Sequence, residues 1–156
     1  MTEHLFLTDR IVELGREALQ HHRDFTLPFL QKNIVGHSTT SLVVDWHSLR
    51  LRFRRRAGHT TAALRLLAKV PESIMVVPCR NETSRDRLWR QVEDPLARKR
   101  ITQAQVHPTP FDFQRFQGCP LVIIDDAISL RDDRTYDGLA EAIHHVAPEA
   151  FYLLRG

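Results

Sequence analysis

The sequence predicts an α/β fold in three layers, a parallel sheet of three to five strands flanked by helices, with an N-terminal helical extension. Three observations predict it. Short apolar runs, Ile74-Met75-Val76-Val77, Leu121-Val122-Ile123-Ile124 and Phe151-Tyr152-Leu153-Leu154, have the length and composition of strands buried on both faces. Helical patterns separate these runs, and that alternation places parallel strands under covering helices. The chain has 156 residues, 42% of them hydrophobic, enough for one globular unit with a real core.

Residues 1–48 read as the helical extension and residues 49–156 as the α/β core. In the extension Leu7, Ile11, Leu14, Ala18 and Leu19 recur at helical spacing, with Thr8-Asp9 as the N-cap. Pro28 interrupts the pattern, and a second helix begins near Phe29. Leu49-Arg50-Leu51-Arg52-Phe53-Arg54 alternates like a strand with one exposed face, while Leu42, Trp46, Leu49 and Phe53 suit an amphipathic helix equally well. Beyond them Thr60–Val70 carries Ala63, Leu64, Leu66, Leu67 and Val70 on a helical face and stops at Pro71. A strand follows over Ser73–Cys79, then a helix over Ser84–Val92, a short strand over Ile101–Val106 and a buried strand over Leu121–Asp125. A helix over Tyr136–Val146 and a last strand over Phe151–Leu154 complete the order.

Two segments carry the chemistry. Arg54-Arg55-Arg56-Ala57-Gly58-His59-Thr60-Thr61 places a glycine and two hydroxyl residues at the start of a helix, where backbone N–H groups can close on phosphate oxygens and a hydroxyl can hold magnesium. Leu121–Ile124 runs into Asp125-Asp126, and an acidic pair after a buried strand can hold magnesium with its first carboxylate and orient an attacking water with its second.

With these residues in this order, the chain resembles the core of P-loop NTPases of the helicase and phage terminase type, in their additional-strand catalytic-glutamate division. The matching stretches are Arg55-Arg56-Ala57-Gly58-His59-Thr60 for the loop, Met75-Val76-Val77-Pro78-Cys79-Arg80 for the second strand, and Val122-Ile123-Ile124-Asp125-Asp126 for the magnesium strand. Phe151-Tyr152-Leu153-Leu154-Arg155 lies where the family has its next strand and sensor residue, so the likeness spans residues 50–156. It implies ATP and Mg²⁺ as ligands. Arg55, Arg56, Gly58, His59, Thr60, Thr61 and Arg155 would then bind the nucleotide, Thr60 and Asp125 the metal, and Asp126 the attacking water. Two departures stand out: His59 occupies the lysine position, and Asp126 is one methylene shorter than the family's glutamate. A neutral imidazole is a poorer partner for a triphosphate than an ammonium, so weak or absent hydrolysis is expected. Any activity would be that of an ATPase.

Charge is distributed unevenly. Residues 50–100 hold twelve Arg and two Lys against five acidic residues, a net of +9, whereas the flanks are net −6. Such a block can neutralise phosphates, which nominates Arg54, Arg80, Arg85, Arg87, Arg90, Lys99 and Arg100 for nucleic-acid contact. The alternative is that these arginines pair with Asp132, Asp133, Asp137 and Glu141 or solvate a helix face. Trp89 reads as a buried anchor. The protein partner of an inactive, scaffold-like variant is the other function class the residues allow, and the small size together with the terminase likeness points to a bacteriophage accessory protein.

Other features give no chemistry. Adjacent helix residues point about 100° apart, so His21-His22 and His144-His145 read as solvated histidines, not metal ligands. Cys79 and Cys119 read as free thiols of a reducing compartment. No apolar run reaches the roughly 18 residues that span a bilayer, and the N-terminus has no signal-peptide pattern. The expected location is the cytoplasm, that of the host if the chain is phage-encoded.

Overall fold

Leu121-Val122-Ile123-Ile124 is apolar at every position, and all four residues are buried in the computed structural model. A strand this apolar needs cover on both faces, and a five-stranded, all-parallel sheet supplies it. The structure describes residues 2–33, 42–51, 59–78, 86, 89–104, 113–124 and 142–155. The strands are β1 (Ser48–Leu51), β2 (Ile74–Pro78), β3 (Ile101–Ala104), β4 (Leu121–Ile124) and β5 (Phe151–Arg155), in the order β1-β5-β4-β2-β3. The helices are α1 (Thr2–His21), α2 (Leu27–Asn33), α3 (His59–Lys69) and α4 (Pro95–Lys99), and residues 142–146 are also helical.

Strand side chains alternate between two cores. Leu49, Leu51, Met75, Ile101, Leu121, Ile123, Phe151 and Leu153 meet α1 and α3 through Ile11, Val12, Leu19, Ala62, Ala63, Leu66 and Leu67. On the opposite face Ile74, Val76, Val122, Ile124 and Tyr152 meet Phe116, Cys119, Ile143 and Ala147. The α1–α3 contact is close: a Cβ on Gly15 would stand 2.8 Å from Leu66 Cδ2. Arg65 Nη1 also reaches Asp9 Oδ1 at 2.7 Å across the same pair.

Several local expectations change. α1 begins at Thr2, so Thr8 and Asp9 lie inside the helix and do not cap it; Thr8 is fully buried, and Asp9 holds Arg65. The second helix expected near Phe29 is present as α2, which begins at Leu27. Proline cannot donate to the carbonyl four residues back, and the π-helical turn His22–Thr26 carries the chain from α1 into α2. The ambiguous stretch before the loop is both things in turn, a π-helical turn over Leu42–Trp46 and then the strand β1. Among the described residues β1 sits at the sheet edge, paired with β5 alone, which is why its sequence alternates where a central strand would be apolar throughout. Trp89 is 38% exposed and is no buried anchor. α4 starts at an Asp94 N-cap, whose carboxylate accepts the Leu96 N–H at 3.0 Å, with Pro95 in the first turn, where no N–H is needed. Among the described residues no helix is long and apolar enough to cross a membrane.

Candidate functional site

In a parallel sheet the C-terminal ends of all strands open on one edge, and open α/β sheets bind ligands there. From β1 the chain runs through residues 52–58 into α3, which begins at His59. From β2 it leaves toward Arg80, from β4 it passes directly into Asp125-Asp126, and β5 ends at Arg155. The register aligns these exits. Ile124 pairs with Leu154 and with Val76, and the next residue of β5, Arg155, pairs with Leu51. β5 therefore lies between the loop strand and the acidic strand, which stand two spacings, roughly 10 Å, apart.

The nominated residues distribute as follows. His59 opens α3, Thr60 is half-buried and Thr61 exposed in its first turn, and Arg155 closes β5. Arg54, Arg55, Arg56, Gly58, Arg80, Arg85, Arg87, Asp125 and Asp126 lie outside the described residues, as do Cys79, Asp132, Asp133, Asp137 and Glu141. Arg90 and Lys99 are exposed. Lys99 and Arg100 immediately precede β3, so they stand at the N-terminal edge of the sheet, opposite the loop exits. Arg100 is occupied there: its Nη1 donates to Leu67 O at 2.8 Å, Val70 O at 3.1 Å, Ser73 O at 3.2 Å and Ser73 Oγ at 3.0 Å. It caps the carbonyl end of α3, where a cation is favoured by the helix dipole. Arg115 is committed similarly, donating from Nη2 to Lys99 O at 2.7 Å. These side chains line a cleft of about 330 Å³ with Glu72 and Gln117.

A second constellation at that N-terminal edge was not legible as such. His22 is 1% and His47 3% exposed, with His22 Nε2 2.8 Å from His47 Nδ1. The His144 ring lies 5.2 Å from that of His47. His22 and His144 are therefore not solvated helix histidines. Burial first, then His47, Arg23 and His21, pushes His22 down to about 4. Burial and then His144 push His47 down to about 4, and burial and then His145 lower His144. All three are neutral at pH 7. The available signal was that His22 follows Leu19 by three residues, continuing the buried row Ile11, Gly15, Leu19 by one turn. Its partner 25 residues away leaves no local trace. Among the described residues no group of three or more His, Cys, Asp or Glu could hold a metal ion. Cys119 is a free, buried thiol, pushed up to about 11 chiefly by burial.

Comparison with known protein families, curated proteins and solved structures found no match for this chain.

Proposed function

We propose that the chain is a small P-loop NTPase-like protein that binds ATP or another phosphate ligand with magnesium, hydrolyses it weakly or not at all, and acts with nucleic acid. One observation carries this reading. β1, β5 and β4 are parallel neighbours, so the segment 52–58 leading into α3, the Asp125-Asp126 pair and Arg155 leave the sheet at one edge. β5 lies between β1 and β4 in the sheet, an arrangement that supports this reading. In this reading Gly58 and the first N–H groups of α3 meet phosphate oxygens, Thr60 and Asp125 hold magnesium, Asp126 orients water and Arg155 meets the terminal phosphate. His59 in the lysine position accounts for weak turnover.

Calorimetric titration with ATP and a nonhydrolysable analogue, with magnesium and then with chelator, tests it. Magnesium-dependent binding is expected, weakened by Thr60→Ala and Asp125→Ala. His59→Lys is expected to tighten binding by roughly twofold to thirtyfold, since a hydrogen bond to a charged partner contributes roughly 1.5–3 kcal/mol against about 1 for a neutral one. No heat at millimolar nucleotide would remove the reading. A scaffold that binds a protein partner is then the alternative, and the exposed Phe25, Phe29 and Trp46 favour it.

A further inference from the structure

Residues 22–33, comprising the turn His22–Thr26 and α2, are attached to the fold by few anchors. Of their side chains His22 and Leu30 are buried, while Phe25 and Phe29 are 64% and 47% exposed. Phe29 stacks on Trp46 with ring centroids 5.3 Å apart. His22 is the deeper anchor, its ring 5.1 Å from Phe151 at the start of β5 and hydrogen-bonded to His47 at 2.8 Å. His47 in turn accepts the Tyr152 N–H on its carbonyl at 2.7 Å, so the latch closes on the first residues of the β1–β5 ladder. Against this stretch lies a cavity of about 240 Å³, lined by its own Arg23 and Leu27 and by Cys119, Pro120, Ala147 and Glu149.

The latch tolerates protons poorly. An imidazole pair shares one N–H, and His22 Nδ1 is buried with no hydrogen-bond partner among the described residues. The favourable tautomer has His22 Nε2–H donating to His47, which leaves Nδ1 a bare acceptor; a second proton would create a buried N–H with nothing to receive it. The groups acting on the pair are His21 from the end of α1, Arg23 from the stretch itself and His144 from helix 142–146, with His145 acting on His144. All are basic. Of the carboxylates alongside, Asp24 is exposed and taken by the Gln20 amide at 2.9 Å, and Glu149 is exposed on the far wall of the cavity.

We propose that residues 22–33 form a proton-operated flap, latched by the His22–His47 pair, which swings open on acidification and uncovers the cavity walled by Cys119. The rest of the fold stays in place because α1 keeps its own apolar anchors, Ile11, Val12 and Leu19. Both histidines fall to about 4 from an ordinary value of 6.5. The closed flap is therefore fully favoured above pH 6.5, and its advantage is lost as pH falls toward 4. From pH 7 to pH 5 the open-to-closed ratio rises about twentyfold for each histidine. The flap stands at the edge opposite the loop exits and is independent of the phosphate-binding reading.

The test is hydrogen exchange from pH 7 to pH 5, comparing protection factors in residues 22–33 with those in β4. A Trp89→Phe variant, with Trp46 as sole tryptophan, adds a fluorescence readout of the Phe29 stack. Protection is expected to fall at least twentyfold in the flap and little in β4. The double variant His22→Gln, His47→Asn keeps a polar pair that does not titrate and should abolish the pH response. Proton NMR titration of the wild-type ring resonances keeps the proposal testable if that variant does not fold: two histidines should titrate below pH 5. Equal loss of protection in flap and β4, a pH response surviving in the double variant, or all histidines titrating near 6.5 would each overturn it.

Discussion

Replacing Arg100 with alanine separates a structural arginine from a nucleic-acid contact. Its Nη1 carries two hydrogens and lies within 3.2 Å of four acceptors, the carbonyls of Leu67, Val70 and Ser73 and the Ser73 hydroxyl. Hydrogen bonds to a charged group contribute roughly 1.5–3 kcal/mol each, but four acceptors share two N–H groups and the side chain is half-buried, which argues for the lower end. The Ser73 hydroxyl already donates to Val70 O at 2.6 Å, so that carbonyl is not orphaned by the change. The net loss works out at about 2–3 kcal/mol. In a chain of this size each kcal/mol moves Tm by about 2–4 °C, so Arg100→Ala should melt about 5–10 °C early. The midpoint in guanidinium should fall with no change of slope, since the exposed surface on unfolding is the same. Arg100→Lys should recover only part, because a lysine side chain ends one atom short of the Nη1 position that makes all four contacts. An Arg100→Ala protein that melts with wild type, or that loses nucleic-acid affinity at unchanged Tm, would refute the capping role.

Other expectations follow from packing and burial. Gly15→Val should cost about 1–3 kcal/mol in denaturant melts, because its Cβ would meet Leu66 Cδ2 at 2.8 Å, and the double variant with Leu66→Ala should lose less than the sum of the two single changes. Independent, additive effects of the two changes would show that α1 and α3 are not packed through this contact. Cys119, buried and pushed up to about 11 from 9.0, should react with a thiol reagent at pH 7.5 about a hundredfold more slowly in the folded Cys79→Ser protein than after unfolding. Labelling at the unfolded rate would contradict its burial.

The sequence announces some parts of this fold far more clearly than others. β2, β4 and β5 are short apolar runs, and a residue buried on both faces is apolar whatever its neighbours are, so composition alone finds them. α3 is legible for the complementary reason, a 3.6-residue apolar period ended by Pro71. β1 was ambiguous because its amphipathic pattern comes from its place at the sheet edge, and strand order is a property of the whole chain. The histidines failed for a similar reason. Whether His22 meets water or His47 is decided by a contact across 25 residues, and periodicity sees only its own helix. Arg100 was misleading in a third way: charge density in residues 50–100 is a sum, and a sum does not separate an arginine spent on helix carbonyls from one free to meet a phosphate. Of the candidate site, the sequence placed His59, Thr60, Thr61 and Arg155 on a helix start and a strand end, which is where they stand. Asp125 and Asp126 are the first and second residues beyond the described end of β4.

The two ends of α3 connect these observations. A helix carries partial positive charge at its first turn and partial negative charge at its last. At the last turn the fold satisfies that field with Arg100, which reaches the carbonyls of Leu67 and Val70. Before the first turn the sequence places three basic residues, Arg54, Arg55 and Arg56, shortly ahead of His59. An N-terminus needing no ligand would draw Asp, Ser or Glu to its cap and first turn, as Asp94 caps α4. In the proposed reading, the oxygens of a phosphate group accept from arginine guanidinium groups and from the first N–H groups of the helix. On that proposal, the same dipole that recruits Arg100 at one end favours a bound phosphate at the other. Inorganic phosphate or ATP should accordingly raise the Tm of wild type, and neutralising Arg54, Arg55 and Arg56 should raise the Tm of the ligand-free protein while removing that response.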